Sequence, residues 1–157
     1  MLLVAVSMVV VAQDSKKQKD SLKAVTITNL VTEKSYVFEA QSASPMKGGR
    51  KHLTGSYTLV VSKDTVTSDL PYYGRAYQSD YGSSGGGIKF TSTDFNYTAT
   101  GRKKGGWEIS IKPNDYKKVQ QIILTIFEDG HTSVQVSSSD KQPISFDGYI
   151  EARKPKK

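Results

Sequence analysis

No cysteine occurs in the 157 residues. That absence removes disulfide scaffolds, thiolate metal sites, a cysteine nucleophile and lipid attachment at a lipobox cysteine. Histidine is scarce as well: His52 and His131 are the only two, and no pair lies four apart on a helix as zinc enzymes use. No apolar run reaches the roughly 20 residues that a membrane-spanning helix needs. The one at Met1 to Ala12 stops short and contains Ser7. What is present is ordinary for a globular protein: 36% hydrophobic and 24% charged residues, a balance that excludes wholesale disorder. At roughly 100–200 residues per domain, the chain is one domain with a single core.

The formal net charge of +7 invites a nucleic-acid reading until it is divided along the chain. Gln13 to Ala24 contributes +2 and the tail Glu151 to Lys157 contributes +3. Between them, Val25 to Ile150 holds 14 basic and 12 acidic residues. The folded part is close to balanced and the excess sits at the ends, so nucleic acid is not an expected partner.

Met1 to Ala12 reads MLLVAVSMVVVA, and polarity then switches abruptly at Gln13-Asp14-Ser15-Lys16-Lys17. This fits the apolar region of a secretory signal peptide, with Val10 and Ala12 as the small residues before a cut at Gln13. No Lys or Arg precedes the run, so either the start codon is assigned late or the leader is longer. The competing account is a buried N-terminal strand. Periplasmic or secreted localisation is the expectation, with residues 1–12 as leader and 13–24 as a polar lead-in to an N-terminal helix. A single β-rich domain over 25–150 and a basic tail at 151–157 complete the division.

Leu22, Val25, Ile27, Leu30 and Val31 are consistent with one face of an amphipathic helix. Beyond it, alternation with period two dominates: Tyr36, Phe38, Ala40; Tyr57, Leu59, Val61; Trp107, Ile109, Ile111; Val134, Val136; Ile144, Phe146. Ile122 to Phe127 is apolar on both faces and reads as a central strand. Trp107 reads as core. Asp129-Gly130, between two strand-like runs, is the clearest hairpin signal. Gly48-Gly49, Gly105-Gly106, Pro113-Asn114-Asp115 and Asp147-Gly148 mark further turns or bulges. The predicted class is all-β (or α+β): a curled antiparallel sheet of about eight or nine strands, sandwich or partial barrel, with one N-terminal helix.

Five segments in order resemble the domain-of-unknown-function family 4251, found in exported proteins of Bacteroidota. They are Tyr36 to Ala40, Leu70-Pro71-Tyr72-Tyr73-Gly74-Arg75-Ala76-Tyr77, Gly86 to Phe90, Lys104 to Ile109 and Gln142 to Gly148. The resemblance spans about residues 25 to 150. It implies an exported protein and carries no catalytic residue, ligand or reaction.

The segment Leu70 to Tyr81 gathers Tyr72, Tyr73, Tyr77 and Tyr81 around Arg75. Tyrosine joins a flat apolar ring to a hydroxyl and grips sugars or peptides at low entropy cost, and Arg75 suits a carboxylate. The plainer account has the rings cover one end of the sheet. Gly82 to Gly87 is followed by a β run rather than a helix, so it reads as a hairpin loop and not a phosphate cradle. Arg102-Lys103-Lys104 reads as a basic hairpin tip. Glu128, Asp129 and His131 read as a solvated tip, because a metal or catalytic site there needs further ligands to converge. Glu39 and Glu108 read as exposed strand polarity.

The expectation is a non-enzymatic envelope binding or interaction module without catalytic residues, metal or cofactor. Candidate ligand contacts are Tyr72, Tyr73, Arg75, Tyr77 and Tyr81, and the partner is a glycan, a peptide or an envelope protein. No membrane span and no lipid anchor are expected. The alternative is a small periplasmic hydrolase whose site is assembled only in the fold.

Overall fold

A computed structural model describes residues 8–74 and 87–154, with side chains from residue 15 onward. Helix α1 (Met8–Glu33) comes first. Ten strands follow: β1 (Tyr36–Pro45), β2 (Lys51–His52), β3 (Thr58–Val61), β4 (Val66–Leu70), β5 (Ile88–Ser92), β6 (Phe95–Gly101), β7 (Trp107–Pro113), β8 (Val119–Ile126), β9 (His131–Ser138) and β10 (Ile144–Ala152). All pairings are antiparallel, in the order β5-β4-β3-β1-β10-β9-β8-β7-β6, with β2 extending the β3 side of β1. The predicted curled sheet with an N-terminal helix is what forms.

The alternation read in the sequence selects the inward face. Tyr36, Phe38, Leu59, Ile111, Leu124 and Phe146 are among the side chains with no exposed surface, so the interior is filled by side chains. Ile122, Leu124 and Ile126 of β8 point inward, while Ile123 on the other face is half-buried. Trp107 differs from expectation: it opens β7, pairs with Gly101 and Ile126, and is half-buried against the core rather than enclosed by it.

Strands β5 and β6 are the two ends of the path, joined through Thr93 and Asp94. Asp115, from the turn after β7, ties that junction by accepting from the Ser92 hydroxyl and from the amides of Thr93 (2.9 Å) and Asp94 (3.3 Å). Tyr116 stacks on Phe90 at 4.7 Å. Across the interior the Tyr36 and Tyr97 hydroxyls lie 3.0 Å apart. Burial holds the Tyr36 phenol well above its usual value, and the neighbouring Tyr97 adds to this. Burial also raises Tyr97, against the opposing hydrogen bond from Tyr36.

Helix α1 docks through only three of the five residues expected on its buried face, because Leu22 and Val25 lie on the opposite side of the helix. Ile27 and Val31 are buried and Leu30 partly so, but Leu22 is 69% and Val25 58% exposed. The spacing 27, 30, 31 follows the helical period, and the β-branched cluster at 25 to 28 is held helical by that docking, which outweighs its weak propensity. The helix is continuous across Ala12 and Gln13. It ends with Lys34 at φ 49°, where the Ser35 amide donates to Leu30 and the Lys34 amide to Val31. This is a Schellman cap with lysine in the usual glycine position.

Candidate functional site

The outer face of β8, β9 and β10 carries a row of rings. Asp129-Gly130 makes the predicted β8–β9 hairpin as a four-residue turn from Phe127 to Gly130 rather than a two-residue one. The Gly130 amide donates to the Phe127 carbonyl and the Phe127 amide to His131. The Asp129 carboxylate accepts from the His131 amide at 3.0 Å, a side-chain mimic of a turn. His131 therefore opens β9, in register with Tyr149 of β10. Its imidazole lies between two rings, stacked on Phe127 at 5.5 Å and edge-on to Tyr149 at 5.5 Å. Phe127 is 37% and Tyr149 41% exposed, so the row faces solvent. Glu128 and Asp129 are exposed, as expected of a solvated tip, whereas His131 is half-buried between aromatic neighbours.

Two hairpins are locked together beside this row. A Cβ on Gly106 would lie 2.1 Å from the Ile126 carbonyl oxygen, so the β6–β7 tip approaches β8 as only glycine permits. The basic tip read at Arg102-Lys103-Lys104 is thereby set against the aromatic row: the Arg102 guanidinium lies 4.8 Å from the centre of Phe127. Helix α1 closes the same end, with Ile27 seated against Gly130. Asp20 and Lys23 of the helix, Lys104, Phe127, Glu128 and His131 border a depression of about 560 Å³.

A second depression, of about 280 Å³, adjoins the first and shares His131. Its geometry comes from a bulge in β1. Ala40 pairs with Gly148 and Ser42 with Asp147, leaving Gln41 as the extra residue. Arg50, after the Gly48-Gly49 turn, donates from Nε to the Ser42 hydroxyl (2.8 Å) and from Nη2 to Asp147 (3.1 Å). His52, Gln41 and Tyr149 complete the lining. The chain's two histidines thus border one depression, a convergence that sequence order conceals. Among the described residues, no group of three or more His, Asp or Glu is arranged to hold a metal ion.

The tyrosine segment is described only in part. Tyr72 and Tyr73 are half-buried against the core. The Tyr72 hydroxyl donates to the Gln142 carbonyl at 3.2 Å, and its ring lies under Lys141, which is itself buried in a pair with Asp140 at 3.0 Å. Tyr73 lies under Lys51 at 5.5 Å. Arg75, Tyr77 and Tyr81 lie outside the described residues. Strand β2 connects this segment to the smaller depression, since Lys51 meets Tyr73 while Arg50 and His52 line the depression. Glu39 and Glu108 are exposed on their strands.

A nearly closed, barrel-like antiparallel sheet with a filled interior and one N-terminal helix is the class of protein defined here. The family it belongs to is DUF4251, a domain of unknown function, whose pattern matches residues 18–150. A crystal structure of a DUF4251 family protein from Bacteroides eggerthii DSM 20697 shares the fold, with a TM-score of 0.62 at 16% identity, over 86% of this chain and 91% of that one. None of the curated proteins compared matches this chain.

Proposed function

We propose that this protein is an exported, non-enzymatic binding module of the cell envelope, and that its ligand sits on the outer shelf around His131. One observation carries the reading: Phe127, His131 and Tyr149 form a solvent-facing row where two depressions meet. Aromatic faces set among convergent polar groups are a common plan of ligand sites. Export is supported by the apolar opening residues with their abrupt polar boundary, and by the character of the family that the sequence resembles. Tyr73 flanks the shelf through Lys51, and Arg75, Tyr77 and Tyr81 follow it in the chain as candidate further contacts. A small periplasmic hydrolase is the second reading, favoured by the placement of His131 and Glu128 along one depression.

The test is thermal shift of the chain from Gln13 onward against glycans, peptides and metal ions, alongside fractionation of expressing cells. A ligand at ten times its dissociation constant adds about 1.4 kcal/mol, or about 3–6 °C for a domain of this size. The reading expects a periplasmic or secreted protein and a shift that His131→Ala with Tyr149→Ala abolishes. A ligand shift that survives both substitutions overturns the location of the site, and turnover of a ligand overturns the non-enzymatic assignment.

A further inference from the structure

The smaller depression has a composition that narrows the ligand. Arg50 and Asp147 neutralise each other, and the remaining lining holds no Lys, Arg, Asp or Glu. A phosphate or carboxylate ligand would meet the Asp147 carboxylate without surplus positive charge. A lipid chain would meet a mostly polar lining. An extended peptide adding as a strand needs a free edge, but β1, β10 and β9 are each paired on both sides at this point and β2, paired with β1 alone, offers an edge of only two residues.

What the depression offers is planar, forked hydrogen-bonding groups beside an aromatic ring. Of the five guanidinium N–H donors of an arginine, Arg50 uses two on Ser42 and Asp147, which fixes its plane and leaves three directed elsewhere. Asp147 supplies acceptors, and Gln41 and His52 supply both kinds of group. Adjacent hydroxyls on a sugar ring present donor and acceptor together and match such forks. The apolar C–H face of the same ring matches the exposed face of Tyr149, at 41% exposure. We propose that the depression between Arg50 and Tyr149 binds a neutral saccharide unit, its C–H face on Tyr149 and its hydroxyls on Arg50, Asp147 and His52. This deepens the binding-module reading and rests on it. The depression adjoins the larger one across His131, so an oligosaccharide fits better than a single sugar.

The experiment is titration of the ¹⁵N-labelled chain from Gln13 onward with cellotetraose, xylotetraose, mannotetraose and N-acetylchitotetraose, followed by amide chemical shifts. The first three report plain neutral polysaccharide and the last an acetylated amino-sugar backbone. At least one is expected to perturb amides of Ser42, Arg50, Asp147 and Tyr149. Tyr149→Ala weakens that binding about tenfold or more, Tyr149→Phe keeps it within about threefold, and Arg50→Gln weakens it about fivefold or more. Saturable shifts elsewhere on the molecule, or none with any of the four, overturn the saccharide assignment. If a peptide or another ligand class then perturbs this same face, the binding-module reading stands alone; if no ligand class does, both fall.

Discussion

Substituting Gly148 by alanine puts a direct load on the geometry that builds the site. Gly148 faces Ala40 across the β1–β10 pair, beside the bulge at Gln41. A Cβ there would stand 1.9 Å from the Glu39 carbonyl oxygen and 2.9 Å from its carbon, both backbone atoms that cannot rotate away. Carbon–oxygen contacts between strands settle at about 3.3–3.6 Å, so the strands would have to part by about 1.4 Å. Parting stretches one or two ladder hydrogen bonds beyond useful length, at about 0.5–1.5 kcal/mol each. Overpacking strain in a filled interior adds about 1–3 kcal/mol. The expected loss is therefore about 1.5–6 kcal/mol, a large part of a typical domain's stability. Urea unfolding of Gly148→Ala against the parent protein reads it directly, with an unchanged m-value marking a pure stability effect. Because Ser42, Asp147 and Arg50 depend on the same bulge, the proposed saccharide binding is expected to fall along with stability. A variant within about 0.5 kcal/mol of the parent would show that β1 and β10 do not approach as described.

Three further substitutions probe the helix and the seam. Ile27→Ala removes the buried contact on Gly130 and is expected to cost about 2–4 kcal/mol, with amides of residues 20–33 losing hydrogen-exchange protection before those of β9; equal loss everywhere would contradict a separately docked helix. Tyr36→Phe leaves the Tyr97 hydroxyl without its partner and costs about 1 kcal/mol at neutral pH. Since folding raises both phenols above about 10, their contribution is whole below that pH and is lost as pH climbs through the folded values; melting between pH 8 and 12 should fall less steeply in Tyr36→Phe, and parallel curves would refute the linkage. Asp115 runs the other way: the Ser92 hydroxyl first, then the Thr93 amide, hold its carboxyl below the usual 3.8, so its contribution is present above that pH and is lost on further acidification. Asp115→Asn should lower the melting temperature at pH 6 and flatten its decline below pH 4, an effect that a melting series from pH 2 to 6 would detect.

The inward face of the sheet was legible because period-two alternation is a local consequence of the pleat. Tyr36, Phe38, Leu59, Ile109, Ile111, Val134 and Phe146 all fall where alternation puts them. The helix was legible in its position and less so in its face. At roughly 100° per residue Leu22 and Val25 fall on the side of the helix opposite Ile27 and Val31, so the five apolar residues do not share one face and only the second group meets the sheet. Trp107 shows a related limit: alternation assigns it to the inner face, yet its place at the first residue of β7 leaves it at the rim. Turn residues marked the right places, but the four-residue turn at Phe127 depends on the Phe127 amide donating to the His131 carbonyl and the His131 amide donating to Asp129, which a dipeptide does not encode.

The shelf was beyond sequence reasoning because it is a product of register. Arg50 and Asp147 are 97 positions apart, and His52 meets the His131 depression only because one extra residue, Gln41, shifts β1 against β10. A faint signal existed: Asp147 and Tyr149 alternate with buried Phe146, Gly148 and Ile150, which places both on the outer face. Outer-face residues are the ones to search in a barrel of this kind. Tyr36, Phe38 and Phe146 fill its interior, so among the described residues the inside of the curled sheet leaves no room of the kind that larger barrels offer a ligand. A candidate site is then sought on the outside, where a bare sheet is nearly flat. Concavity then has to come from elements standing above the strands, and here three do: helix α1, the Arg102 hairpin tip and β2 with Arg50. Each is fixed to the sheet by a specific contact, through Ile27 on Gly130, Gly106 on Ile126 and Arg50 on Ser42 and Asp147. Those contacts convert an ordinary outer face into two adjoining depressions with His131 on their common border.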